Sequence, residues 1–301
     1  MAIAIDTVKA QDAAEPQDTS VQPKRPWAAR FGGNVVTYAI LIFFFFVFLM
    51  PFVWIWFSAF KSAREIAADP FSPPASLAPT NLVEAWTVGR FSQYILNSAI
   101  YSFAIVGGVA ILSCLAGYAL SHLPLPGRNG IFVLFLMGLM IPFQSVMIPL
   151  YYLLRDFSIL ETYWAFILPG IALRLPFGIF LMRGFFRGLP GELADAGRTD
   201  GANEWQVFRQ IMLPLSWPGL ATLIVFQFMW TWNQFAMPLI FVQRDELRPV
   251  SLGTMFFFGR FTSDRGLIAA GVTIAMIPIV ALYLVLQRRF IEGITAGALK
   301  S

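Results

Sequence analysis

The chain has 301 residues, 57% of them hydrophobic and only 13% charged, with a formal net charge of +4. A soluble domain carries about 25% charged residues, so the composition excludes one and points to a polytopic helical membrane protein. The positive balance needs no nucleic acid, because basic loops beside a membrane account for it.

Residues 1–30 hold Asp, Gln, Pro and Ala with no apolar core, and end in Lys24, Arg25 and Arg30. They read as a disordered cytoplasmic tail and not as a signal peptide. A membrane helix needs about 20 apolar residues. Six stretches qualify: 35–57 with Pro51 as a kink, 95–120, 131–153, 163–182, 215–235, and 267–286 with Pro278 inside. The third contains Pro142 and Pro149; the fourth is expected to be broken by Pro169, Arg174 and Pro176. The expected fold is all-α, with residues 31–301 as one membrane domain of six helices and a polar two-helix loop.

Six spans put both termini on one side. Of the 21 Lys and Arg residues, twelve fall on the side of the termini and the 188–218 loop, eight fall on the other, and Arg174 lies within a span. The bias places that loop and both termini in the cytoplasm. On the opposite side, 61–94 is too polar to span and is expected to lie over the membrane surface. Residues 243–265 form a second loop there, with Phe256, Phe257 and Phe258 as a candidate interaction patch or an interfacial anchor. Cys114 is a lone cysteine in an apolar run and reads as a small buried residue. His122, the single histidine, sits at a helix end near Pro124 and Pro126.

Residues 188–218, GLPGELADAGRTDGANEWQVFRQIMLPLSWP, form a polar island between two apolar runs. Pro190 and Glu192 suit a first helical turn. Gly201 suits the left-handed backbone that ends a helix. Asn203 is a cap for a second helix, with Gln206 in the capping-box position. Trp205, Phe208 and Met212 give that helix an apolar face, and Pro214 and Pro218 close it.

This stretch resembles the EAA loop of permease subunits in ABC importers. The matching positions are Asp195, Ala196, Gly197, Asp200, Gly201, Ala202, Phe208, Leu213 and Pro214, with Pro218 beyond. Asp195 stands where the family usually has Glu, and Gly197 where it has Ala; the glycine weakens the first helix by about 0.5 to 1 kcal/mol. Further stretches narrow the likeness to carbohydrate-type permeases, especially the smaller permease of the maltose-importer group: Asn97-Ser98, IPFQSVMIPLYYLL at 141–154, WNQFAMPLIF at 232–241 and the terminal GITAGALK. Permeases for amino acids or peptides are not expected to share that tail.

The resemblance implies a pore formed with a sister permease. Two copies of a cytoplasmic ATPase and an extracytoplasmic sugar-binding protein complete the complex in the inner membrane. It implies that the loop at 188–214, with Glu192 among its charges, docks to the ATPase. Asp195 would accept hydrogen bonds there, Gly201 would permit the helix break, and Phe208 and Leu213 would anchor the loop to its own spans. ATP and Mg would belong to the partner, since this chain has no GxxxxGK[ST] phosphate cradle, no cofactor site of its own and no enzymatic constellation. Sugars are held by aromatic faces and hydrogen-bonding groups, so Asn97, Gln144, Tyr151, Tyr152, Gln227, Trp230 and Asn233 are candidate pathway residues. Interhelical bonding or an interfacial belt would explain the same residues. Arg174 either lines the pathway, where it would favour an anionic sugar, or snorkels. The alternative function is an ion-gradient-driven transporter, which would call for carboxylates within the spans; none of the six contains one.

Overall fold

A computed structural model of the chain describes residues 27–253, 255 and 264–298. Most of the expected tail and the phenylalanines at 256–258 lie outside them. Among the described residues every regular element is helical. The chain divides into two compact units, Met1–Phe52 and Val53–Ser301, with the division inside the first helix.

Helix α1 is Trp27–Ser58, with Pro51 inside it. Its first turn takes up residues 27–30, which the sequence had suggested as tail; alanines at 28 and 29 favour helix. Two short helices follow, α2 (Ala63–Ala68) and α3 (Thr80–Thr87). Between α1 and α2, Lys61 is buried, its Nζ donating to the Asp69 carbonyl and to Ser72 Oγ at 3.0 Å each. The lysine thereby folds this polar segment over itself. Helix α4 (Phe91–His122) is the longest apolar helix of the second unit after the last one.

The third expected span is not straight. Helices α5 (Arg128–Gly138) and α6 (Phe143–Asp156) meet at 93°. Pro142 is the cause: it lacks an N–H, and it pushes Ile141 toward extended backbone. The fourth span departs the other way. Helix α7 (Trp164–Gly188) runs unbroken through Pro169, Arg174 and Pro176. Each proline removes one hydrogen bond, whereas packing against α4 holds the whole face in place. That packing is close because small residues line it: a Cβ on Gly178 would collide with Ser113, and one on Gly117 would lie 2.9 Å from the Arg183 backbone.

Helix α8 (Gly191–Thr199) and helix α9 (Glu204–Leu215) form the polar loop. Helix α10 (Trp217–Trp232) follows at 74° to α9. Ser216 and Pro218 at the break explain the bend. Then come α11 (Ala236–Phe241), α12 (Val250–Gly253) and α13 (Arg265–Ala298). Among the described residues, four helices are long and apolar enough to cross a membrane, or up to six if each bent pair counts as one span.

Candidate functional site

The polar loop and the cavity described below lie wholly in the second unit. In the loop, Pro190 precedes α8 and Gly201 follows it with φ of +86°, the left-handed backbone that favours glycine. Asn203 caps α9: its Oδ1 accepts from the Gln206 N–H at 2.9 Å, and Gln206 Oε1 accepts from the Asn203 N–H at 2.8 Å. This is the reciprocal capping box the sequence suggests.

Helix α9 departs from a regular α-helix at Val207–Met212, which is a π-helix. The wider turn puts Val207, Phe208 and Met212 all on the buried side, while Trp205 stays exposed. The expected single apolar stripe therefore splits. Phe208 is wedged among Tyr118 of α4, Phe186 of α7 and Trp205, with ring centroids at 5.2, 6.3 and 5.4 Å. Leu213 packs at the edge of the same cluster, and Pro214 is exposed. His122 stacks on Tyr118 at 5.4 Å.

Gly197 has a packing role that composition alone did not reveal. It is buried, and a Cβ there would lie 2.5 Å from Ile211 Cδ1 and 3.5 Å from Val207 Cγ2. Helix α8 thus presses onto the π-helical turn at its glycine.

Charge ties the loop to the spans. Arg198 donates from Nη1 to Asp195 Oδ1 at 2.6 Å and from Nε to Glu204 Oε1 at 2.7 Å. Tyr118 Oη donates to Glu204 Oε2 at 2.9 Å. The Glu204 and Asp195 carboxylates push the Arg198 guanidinium's pKa further up. Arg198 and Glu204 escaped the sequence reading as site residues; their spacing of six places them across the Gly201 break, where helical periodicity gives no signal. Glu192, Asp195, Ala196, Asp200 and Gly201 face outward, and Ala202 is half-buried.

A cavity of about 650 Å³ opens between α5–α6, α7 and α10–α11. Arg174, Trp230 and Asn233 line it, as does Gln234. Phe177, Phe226 and Trp230 form a ring cluster on its wall, with centroids 4.9 to 5.9 Å apart. Those phenylalanines were invisible in a sequence with 31 of them.

The other candidate pathway residues lie elsewhere. Asn97 is fully buried and turned to the 243–250 loop. Its Nδ2 donates to the carbonyls of Glu246 and Arg248 at 2.8 and 2.9 Å, and its Oδ1 accepts from Tyr163 Oη at 2.8 Å and Gln93 Nε2 at 3.3 Å. All four bonding positions of the amide are used within the chain, and Asn97 does not line this cavity. Gln227 is buried away from the cavity with neither amide atom partnered among the described residues. Gln144 and Tyr152 are exposed on α6, where Arg155 lies 4.7 Å over the Tyr152 ring; Tyr151 packs into the core.

Residues 110–295 match the family model described as "Binding-protein-dependent transport system inner membrane component". The chain belongs to this family. The permease is 35% identical over 279 residues to the probable ABC transporter permease protein YurM of Bacillus subtilis, covering 93% of this chain and 92% of that one. It is 32% identical to the diacetylchitobiose uptake system permease protein NgcG of Streptomyces coelicolor, covering 88% of each chain. It is 33% identical to the arabinooligosaccharides transport system permease protein AraQ of Halalkalibacterium halodurans, covering 86% of this chain and 93% of that one. Its fold is similar to a chain of a bacterial ABC transporter involved in the import of the acidic polysaccharide alginate. The TM-score is 0.77 at 23% identity, over 89% of this chain and 100% of that chain.

The permease is therefore a multi-pass membrane subunit of an ABC importer, working with an ATPase and a binding protein. It is not an enzyme. The family also sets aside the ion-gradient-driven alternative.

Proposed function

We propose that the permease imports a sugar or sugar derivative, forming the translocation pathway with a sister permease and taking its drive from two copies of an ABC ATPase through the loop at 188–214. The observation that carries the coupling role is the two-sided build of that loop. Its inner face is bolted to α4 and α7 through Phe208, Met212 and Tyr118. Its outer face offers Glu192, Asp195, Asp200, Gly201 and the exposed Trp205. A body held rigidly on one side and presented on the other transmits a push as rigid-body motion. Such a transmission links alternating access to ATP binding.

The saccharide reading is supported by relatives named for diacetylchitobiose and arabinooligosaccharides, and by the aromatic wall and amides of the cavity. Arg174, Trp230 and Asn233 are its pathway residues, and residues 31–301 act as one permease domain. The charge bias supports cytoplasmic termini, with the sugar-binding protein on the opposite side of the inner membrane. The test is reconstitution of the complete complex in proteoliposomes. Saccharide uptake that needs ATP, the binding protein and this chain together is the expected result. Uptake that persists without the ATPase and collapses with an ion gradient would overturn the reading.

A further inference from the structure

Arg174 sits in the middle of an apolar helix and is 7% exposed, yet it borders the cavity. A guanidinium has five N–H donors. Here Nη1 donates to the Gly170 carbonyl at 3.1 Å and Nη2 to the Trp230 carbonyl at 3.5 Å. None of the ion pairs among the described residues includes it. Nor does the sequence hold a carboxylate within 95–120, 163–182 or 215–235, the stretches of α4, α7 and α10 packed around it. Two carbonyl bonds call only for a neutral donor, so the charge is surplus to them. A buried charge is costly unless matched, and an unmatched one in a membrane helix marks a ligand path.

The rest of the cavity indicates what would match it. The Phe177, Phe226 and Trp230 rings offer flat apolar faces, and Asn233 and Gln234 offer both donors and acceptors. Its volume of about 650 Å³ is that of a small-ligand site. Aromatic faces with amides suit a sugar ring; the planar guanidinium fork suits a carboxylate, which it can grip with two parallel bonds.

We propose that this cavity is a saccharide site in which Arg174 recognises a carboxylate, so that the permease carries acidic sugars such as uronic-acid oligosaccharides. The inference rests on the sugar-import reading above and names the class of sugar. The geometry favours a substrate carboxylate over a neutral hydroxyl because only the former offsets the surplus charge.

The experiment uses the complete reconstituted complex and disaccharides in matched pairs, each neutral sugar beside its uronic acid. Uptake is read as the ratio of acidic to neutral sugar. Wild type should take up the acids, and Arg174→Gln should lower the ratio about tenfold or more, because the charge-assisted two-bond grip on the carboxylate is lost. Arg174→Lys keeps the charge but loses the fork, and should lower the ratio by a smaller factor. Retention of the ATPase and sister permease on purification reports assembly of each variant. Import of neutral sugars alone by wild type overturns this inference and leaves the sugar-import reading standing. Import of no saccharide at all sinks both. An unchanged ratio in either assembled variant gives Arg174 a structural role and overturns the proposal. So does loss of the sister permease from Arg174→Gln with an unchanged ratio in Arg174→Lys, which would place the carboxylate on that subunit.

Discussion

Tyr118 of α4 donates its hydroxyl proton to Glu204 Oε2 at 2.9 Å, joining a long apolar helix to the polar loop through one bond. The same Glu204 carboxylate accepts from Arg198 on the far side of the Gly201 break. One carboxylate thus holds both short helices of the loop to the span. Tyr118→Phe removes the bond and leaves the ring packed on Phe208. A bond to a charged acceptor contributes about 1.5 to 3 kcal/mol when buried and less where Glu204 is exposed. The expected outcome is normal ATPase retention with less sugar moved per ATP hydrolysed. An unchanged transport-to-hydrolysis ratio would remove Tyr118 from the coupling path.

Gly201 has open space where a Cβ would go, so its substitution meets no clash within the chain. The cost is backbone strain at φ of +86°, about 1 to 2 kcal/mol for an L-residue. Gly201→Val should leave the permease inserted in the membrane while transport is lost and ATPase retention falls. Asp195→Ala should weaken retention less, because its exposed pair with Arg198 contributes only modestly. Asp195→Glu should be tolerated. Full transport and full retention in Gly201→Val would show that the loop is not the coupling element.

Gly197→Ala sets two effects against each other. Alanine improves helix propensity by about 1 kcal/mol. Its methyl must displace Ile211 Cδ1, the flexible end of that side chain. The single change should be near neutral in thermal unfolding of the complex. In an Ile211→Val background the obstructing methyl is gone, and Gly197→Ala should then stabilise. Equal effects in both backgrounds would mean that the two residues do not touch.

Asn97→Leu keeps the volume and strips four hydrogen bonds. The Glu246 and Arg248 carbonyls and the Tyr163 hydroxyl then lose partners, at about 1 to 3 kcal/mol for each group left buried. The expected outcome is faster proteolysis within 243–250 and lower thermal stability, with sugar selectivity unchanged. A shift in selectivity without loss of stability would return Asn97 to the pathway.

The helical class and the Asn203–Gln206 capping box were legible because both depend on local composition and spacing. So was the anchoring phenylalanine of the loop, given the family resemblance. What escaped was decided at a distance. Proline gave one signal at Pro142, where the chain turns sharply, and the same signal at Pro176, where it does not. Only the packing of α7 on α4 separates the two cases. The cavity was only partly legible: Trp230, Asn233 and Arg174 stand out by type, whereas Phe177 and Phe226 are ordinary members of apolar runs until the fold sets them on one wall. The bonding of Asn97 was illegible for a similar reason, since two of its four partners are backbone carbonyls, and every residue has one.

Those partners also fix an order of events during synthesis. Asn97 is made 149 residues before Glu246 and 151 before Arg248, but only 66 before Tyr163. At ribosomal speeds of about 5 to 20 residues per second, the wait for the carbonyls is on the order of 10 s, while the tyrosine arrives in less than half that time. The nascent α4 and α7 can therefore pair first as parallel helices, with the asparagine held from one side. The 243–250 loop is then the late piece that completes the amide's bonding. A ribosome stalled before Arg248 would leave α4 and α7 made, the last helix not yet made and the clasp still open.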